Sequence, residues 1–183
     1  MNLLEFQTAS KRTMPFNGEP QCKLHFDHFF NNYAMGLVGE VIEAYQIILA
    51  TPITDAQALK KELGDISHYA VGLAAVAHIQ LPEHIELDVE DPDDIPVCET
   101  IENLVCEAGV IVEHAKKVFH HGHAFDARLL DILEVLVLVK KLAKAHGFKF
   151  SDVLATNIEK LKLRYPERFS SEDSKARVDE HVE

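Results

Sequence analysis

Apolar residues recur at helical spacing along most of the chain, and this pattern constrains the fold more than any other feature of the sequence. Residues 24–50 carry Phe26, Phe30, Leu37 and Val41, which share one side of a helix because each turn takes 3.6 residues. The same spacing predicts further helices over 55–80, 99–120, 126–146 and 151–166. No segment alternates apolar and polar residues as a half-buried strand does. The sequence therefore predicts an all-α protein.

The order of these segments predicts a single all-α domain over residues 1–170. Of the 183 residues, 47% are hydrophobic, which is enough to bury a sizeable core. Helix boundaries are expected where Thr54 or Asp55 can cap a start, where Gly147 can end a helix, and where Ser151 can begin the last one. The expected parts are a helical hairpin at 24–80, an acidic linker at 82–97, a second hairpin at 99–146, a C-terminal helix at 151–166 and a disordered tail at 171–183.

Charge and composition exclude several classes of partner. The net charge of −12 argues against a nucleic-acid surface, which needs a basic face. No apolar run reaches the roughly 20 residues of a membrane span, and residues 1–12 do not resemble a signal peptide, so we expect a cytoplasmic protein without a membrane partner. Three cysteines without a C-x-x-C motif predict free thiols and no zinc site.

Two pairs of acidic residues carry the chemical information in the sequence. Glu40 and Glu43 lie three residues apart in one predicted helix, and Glu62 and Asp65 repeat that spacing in the next. Residues three apart share a helix face, and a short connection makes the two helices antiparallel neighbours. Four converging carboxylates repel one another unless a cation joins them. Oxygen-only ligation suits Mg²⁺, and Mn²⁺ is an alternative.

The acid pairs and their surroundings resemble the MazG-like all-α nucleoside triphosphate pyrophosphohydrolases, a group related to dimeric dUTPases and dCTPases. "GLVGEVIE" at 36–43 and "KKELGDISHYA" at 60–70 are similar to the metal motifs of that family. "EFQTASKRT" at 5–13 is similar to its N-terminal segment, and "NIEKLKLRYPERF" at 157–169 to its C-terminal signature. The resemblance covers nearly the whole chain.

The resemblance implies a MazG-like helical bundle and a metal-dependent reaction. The substrate would be a nucleoside triphosphate, hydrolysed between the α and β phosphates to a monophosphate and pyrophosphate. Glu40, Glu43, Glu62 and Asp65 would bind the metal, and Glu40 would also take the proton of the attacking water. These assignments rest on the family and on the acid spacing together.

The C-terminal signature supplies candidate nucleotide-binding residues. Lys160 and Arg164 lie four apart on one face of the predicted helix, and Asn157 lies on the same face. The resemblance implies that the two cations bind phosphates and that Asn157 binds phosphate, sugar or base. Tyr69 follows Asp65 by one helical turn and is expected to stack on the base or to hold a phosphate.

The second predicted hairpin departs from single-copy members of the family. It resembles a worn copy of the first hairpin, with Glu107 matching the first glutamate and Val110 replacing the second. Two alignments of its other acid pair are open: Asp131 with Glu134, or, one residue on, Ile132 with Val135. We expect this hairpin to pack against the first as an internal tandem whose own site binds metal poorly or not at all. A homodimer or higher homo-oligomer is also expected.

Other interpretations compete with the pyrophosphohydrolase. Duplication with decay could leave a nucleotide-binding or purely structural helical protein. Asp65 and His68 have the spacing of half a di-iron motif, but that class needs Glu-x-x-His on two helices and the sequence contains none. The preferred base stays open, as does the choice between house-cleaning of damaged nucleotides and control of a normal one.

Overall fold

The computed structural model describes residues 1–50, 55–85, 96–127, 129–177 and 179, and in these residues it contains helices and no strand. The all-α prediction is confirmed. The helices are α1 (Leu3–Lys11), α2 (Lys23–Leu49), α3 (Ala56–Val76), α4 (Val97–His121), α5 (Leu129–Ala145), α6 (Phe150–Arg164) and α7 (Ser171–Ala176), with a 3₁₀ turn at Pro15–Gly18.

Helices α2 to α5 form a four-helix bundle. Helix α2 packs on α3 and α4, and α5 packs on α3 and α4, so the second hairpin covers the first within one chain. Leu37, Leu63, Leu104 and Leu136 are fully buried at the centre of this bundle. The packing agrees with the expectation drawn from the dense apolar sequence of the second hairpin. That the two hairpins are copies of one another stays a prediction, and residues 86–95 of the predicted linker lie outside the described residues.

Several helix boundaries differ from the sequence prediction. Helix α3 ends at Val76 and not near residue 80, because His78 takes a left-handed conformation and the Ile79 N–H turns back to the Ala74 carbonyl. Helix α6 begins at Phe150, and Ser151 lies inside it instead of capping it. Helix α5 begins at Leu129, later than predicted.

Two predicted boundary residues are confirmed. The Asp55 carboxylate accepts a hydrogen bond from the Ala58 N–H and so caps the start of α3. Gly147 follows the end of α5 with φ of +78°, a conformation that glycine adopts without steric cost.

The N-terminal helix, which the periodicity did not reveal, fastens the ends of α3 and α6. Asn2 and Glu5 form a capping box at its start. Gln7 donates to the Ile79 carbonyl at 2.8 Å and accepts from the Leu81 N–H at 3.0 Å. The Arg12 guanidinium donates to the carbonyls of Tyr165 and Glu167 at 2.9 and 2.7 Å. The N-terminal helix therefore contacts the end of α3 and the residues that follow α6.

The segment after α6 differs from the disordered tail that we expected over 171–183. Residues Ser171–Ala176 form α7, with the Ser170 hydroxyl accepting from the Asp173 N–H. Asp179 pairs with Arg164 of α6. A helix cap at Ser170 and the ion pair of Asp179 with Arg164 order this segment. The prediction of disorder was wrong because it considered only the low apolar content. Residues 178 and 180–183 lie outside the described residues.

Two glycines set how closely α2 and α3 cross. A Cβ on Gly36 of α2 would lie 2.5 Å from Cζ of Tyr69, and a Cβ on Gly72 of α3 would lie 2.6 Å from Cδ1 of Tyr33. Each tyrosine ring therefore occupies the space that a side chain on the opposite helix would need. The reciprocal contact fixes the two acid-bearing helices against each other.

No helix among the described residues is both long and apolar enough to cross a membrane. Cys22, Cys98 and Cys106 are all free and exposed, which agrees with the predicted free thiols.

Candidate functional site

Three of the four predicted acids meet at the crossing of α2 and α3. One carboxylate oxygen from each of Glu40, Glu62 and Asp65 lies within 4.8 Å of the others. These side chains are half-buried, so their charges are only partly solvated. The group could hold a metal ion, and it is the only gathering of three or more such ligands within the part of the chain that the structure describes.

Glu43 stands apart from this group. Its side chain lines the same cleft but is exposed on the outer part of α2. It lies one turn beyond Glu40, where the helix surface turns toward solvent. The structure therefore gathers three of the predicted acids, and a ligand role for Glu43 stays a prediction.

The crowding of the acids changes their protonation. Burial, the negative charge of Asp65 and a hydrogen bond with Glu62 together raise the pKa of Glu40 to about 8. Burial is also the main cause that raises the pKa of Glu62. Without a cation, the group therefore keeps a proton near neutral pH. A divalent cation would replace that proton, so the donor set fits an oxygen-seeking metal.

We expect the stability of the metal-free protein to depend on pH because the pKa of Glu40 is raised. A carboxyl whose pKa is higher in the folded state binds its proton more tightly there, so its contribution to stability falls as pH rises from 4.5 toward about 8. In Glu40→Gln the neutral amide replaces the protonated acid. Thermal unfolding in a chelator should show a variant similar to the wild type at pH 5 and more stable at pH 8. An equal effect at both pH values would contradict the shift.

Two side chains of helix α6 bind the carboxylate of Asp65. The Asn157 amide donates to Oδ1 of Asp65 at 2.7 Å, and the Lys160 ammonium binds Oδ2. Gly64 permits this approach, because a Cβ there would lie 2.9 Å from Cβ of Asn157. The sequence predicted Asn157 and Lys160 as nucleotide ligands. The structure places both on the aspartate of the metal-competent group, at the edge of the cleft.

The cleft beside these acids has a volume of about 680 Å³. One wall is cationic and is made by Lys160 and Arg164 of α6 with Arg177 from beyond α7. The aromatic part of the lining lies on α2 and α3 and carries His28, Phe29, Tyr33, His68 and Tyr69. The cleft thus brings carboxylates, cations and ring faces together.

The aromatic wall contains a half-buried, neutral histidine. Burial lowers the pKa of His68 to about 4, and its Nδ1 has no hydrogen-bond partner among the described residues. The rings of Tyr33 and Tyr69 lie 6.4 and 5.8 Å from the His68 ring. Burial, with the charges of Glu40 and Asp65, raises the pKa of Tyr69 to about 12. The rings of Tyr33, His68 and Tyr69 are therefore uncharged at neutral pH and suit a flat, polar ring.

Sequence reasoning missed part of the cleft. Tyr33 precedes Glu40 by two helical turns, so spacing alone could have placed it on the same face of α2. His28 and Phe29 lie a further turn away and line the same wall. Arg177 gave no such signal, because it reaches the cleft through a turn after α7.

The second hairpin does not build a comparable group within the described residues. Val110 and Glu134 are exposed, while Glu107 and Asp131 are half-buried. Ile132 and Val135 are buried, so the acids of this hairpin lie away from its apolar face. That the second hairpin binds metal poorly or not at all stays a prediction.

Fold and site together define an all-α protein whose described residues include an acidic group that could hold a metal ion. Comparison with protein-family models, with characterised proteins and with solved structures gives no match for this chain.

Proposed function

We propose that this protein is a divalent-metal-dependent nucleoside triphosphate pyrophosphohydrolase that converts a (d)NTP and water to a (d)NMP and pyrophosphate. The observation that carries the proposal is the single cleft in which Glu40, Glu62 and Asp65 face two cations of α6 and an aromatic wall. Its volume of about 680 Å³ lies within the range of small-molecule sites. The similarity of both acid segments and of 157–169 to the MazG-like family supports the same function.

The metal in this proposal is Mg²⁺, with Mn²⁺ as a substitute. Glu40, Glu62 and Asp65 would hold it, and Glu43 would join them from the exposed side of the cleft. Their all-oxygen donor set matches the preference of both ions. When bound, the ion would neutralise phosphate oxygens and lower the pKa of a water molecule.

Glu40 is the proposed general base. In the metal-free protein its pKa is about 8. A bound cation would offset the negative charge of the neighbouring acids and lower this pKa, so that Glu40 would be ionised and able to accept a proton. Its carboxylate would accept a proton from water as the water oxygen forms a bond to the α-phosphorus. The bond from that phosphorus to the oxygen bridging to the β-phosphorus breaks, and pyrophosphate leaves.

In this proposal the cationic residues of the cleft bind the phosphates, and its aromatic residues bind the base. Lys160 and Arg164 would face the phosphate oxygens as charge-assisted donors, and Asn157 and Lys160 also keep Asp65 in place. The base would lie against Tyr69 and the neutral rings around it. Uncharged rings such as those of Tyr69 and His68 accommodate a nucleobase better than they accommodate a bare polyphosphate.

The test of this proposal is a panel of natural and modified nucleoside triphosphates with Mg²⁺, with both products identified. We expect equal amounts of monophosphate and pyrophosphate and no reaction in a chelator. Binding of a triphosphate without hydrolysis would favour the alternative, a nucleotide-binding protein that has lost catalysis. Absence of both binding and hydrolysis would leave a structural role.

We also propose a homodimer. Met35, Ile42 and Leu49 follow one another at seven-residue spacing on α2 and are all exposed, Met35 by 64%. This spacing forms an apolar stripe suited to a partner helix. Light scattering should give twice the mass of one chain, and Met35→Glu with Ile42→Glu should reduce it to a single chain. A monomeric wild type would contradict the proposal.

A further inference from the structure

We infer that the segment after α6 completes the phosphate-binding wall of the cleft: Asp179 is a positioning residue for the Arg164 guanidinium, and Arg177 adds a second guanidinium. The ligand class is the terminal phosphates of a triphosphate. This inference rests on the proposed function and extends it to residues that the sequence analysis left in a disordered tail.

The first observation is the geometry of the Arg164–Asp179 pair. Nε of Arg164 donates to Oδ1 of Asp179 at 2.6 Å, and Nη2 donates to Oδ2 at 2.7 Å. Two parallel bonds fix the plane of a guanidinium, which a single contact does not. Because Arg164 also lines the cleft, the pair sets the orientation of a cation that faces the ligand space.

The burial of this pair distinguishes it from an ordinary surface ion pair. The Asp179 side chain is 1% exposed and the Arg164 side chain is 15% exposed. A carboxylate is costly to bury without such a partner. The ion pair therefore attaches residue 179 to α6 of the bundle.

The second observation is the conformation of Arg177. It follows α7 in a left-handed conformation, with φ of +45° and ψ of +46°, which costs a non-glycine residue about 1–2 kcal/mol. Its N–H donates to the Asp173 carbonyl at 3.2 Å and closes the helix. Arg177 lines the cleft, and Asp179, two residues further on, pairs with Arg164. Glycine would make the same turn with less strain, but it would remove a cation from the wall.

The charges in the cleft indicate the orientation of the ligand. The acids Glu40, Glu62 and Asp65 lie on the α2–α3 side, and Arg164 and Arg177 lie on the side of α6 and α7. A triphosphate bound with its α-phosphate near the acids would extend its β- and γ-phosphates toward the two guanidinium groups. Arginine suits this task because it binds phosphate oxygens through paired donors.

The experiment measures two quantities on the full chain with Mg²⁺ present: hydrolysis of a nucleoside triphosphate, and binding of inorganic triphosphate by calorimetry. Arg177→Gly should weaken inorganic triphosphate binding and raise KM about tenfold, the loss expected for one charge-assisted contact, while thermal stability stays equal or rises. Arg177→Lys should recover part of the affinity. Lys175→Gln removes a positive charge from α7 outside the cleft wall and is the matched control, with less than about a twofold effect.

Asp179→Asn tests the positioning role. It should raise KM about tenfold with a smaller change in kcat, and Asp179→Glu should restore part of the loss because it keeps the charge. Tighter binding in Asp179→Asn would show that Asp179 competes with phosphate for Arg164, and would overturn the inference. Unchanged KM and affinity in both Arg177→Gly and Asp179→Asn would also overturn it.

The two readouts separate this inference from the proposed function. If the variants weaken binding of inorganic triphosphate but the wild type hydrolyses no nucleotide, the phosphate wall stands and the catalytic proposal fails. If the wild type hydrolyses nucleotides and the variants bind as it does, only the inference fails. If the wild type neither binds nor hydrolyses, both are wrong.

Discussion

Glu40→Gln should reduce the rate of pyrophosphate release at least about 100-fold, the loss expected when a general base is removed. The amide cannot accept a proton, and it is a weaker metal ligand than a carboxylate. Asp65→Asn should cause a similar loss, because Asp65 belongs to the same group of acids and also binds Lys160 and Asn157. Steady-state kinetics with saturating Mg²⁺ would measure both variants.

Two acids outside the cleft provide matched controls for these variants. Glu159 lies next to Lys160 on α6 but is exposed to solvent, and Asp131 belongs to the second hairpin. Glu159→Gln and Asp131→Asn should each keep activity within about twofold. An inactive Asp131→Asn enzyme would show that the second hairpin carries the working site. Full activity in both Glu40→Gln and Asp65→Asn would remove the proposed site altogether.

Gly36→Ala should lower the free energy of unfolding by about 1–3 kcal/mol, the typical cost of overpacking a well-packed interior. The added methyl would lie 2.5 Å from Cζ of Tyr69. The rings of Tyr33 and His68, 6.0 and 5.8 Å away, limit the movement of the tyrosine ring on two sides. Chemical denaturation of the metal-free protein would measure the loss without interference from ligand binding.

Gly39→Ala, one turn further along α2, should have the opposite sign. No atom lies within 4 Å of a Cβ at that position, so the substitution should stabilise the helix by about 0.5–1 kcal/mol. The destabilisation by Gly36→Ala should also shrink in a Tyr69→Ala background, because the clashing ring is then absent. Equal effects of the two alanine substitutions would contradict the close crossing of α2 and α3.

Local spacing predicted what lies within one helix or across one short turn. The i, i+3 placement of Glu62 and Asp65 and the antiparallel neighbour carrying Glu40 were enough to gather three carboxylates. The same reasoning placed Glu43 with them, whereas the structure leaves it exposed on the cleft wall. Residue spacing predicts which face of a helix a side chain lies on. Whether its carboxylate comes within 4.8 Å of the other acids also depends on the angle at which the two helices cross.

The contacts that the sequence did not predict join residues far apart in the chain. Asn157 and Lys160 bind Asp65 across more than 90 residues, and Asp179 reaches Arg164 through a left-handed turn at Arg177. Neither apolar periodicity nor helix propensity reports such pairs, since both describe one segment at a time. The hydrophilic composition of 171–179 was correctly recognised, but a buried ion pair can hold a segment that hydrophobic burial does not.

The clamp between Arg12 and the carbonyls of Tyr165 and Glu167 has a consequence for the newborn chain. During synthesis the ribosome releases α1, α2 and α3 long before it has translated α6. At that stage Arg12 cannot form its hydrogen bonds, because Tyr165 and Glu167 have not been synthesised. The acids of α2 and α3 can meet in this period, but Asp65 still lacks Asn157 and Lys160. A message carrying a premature stop codon before Asn157 would therefore yield a product with an exposed acid group, an unfastened first helix and no cationic wall.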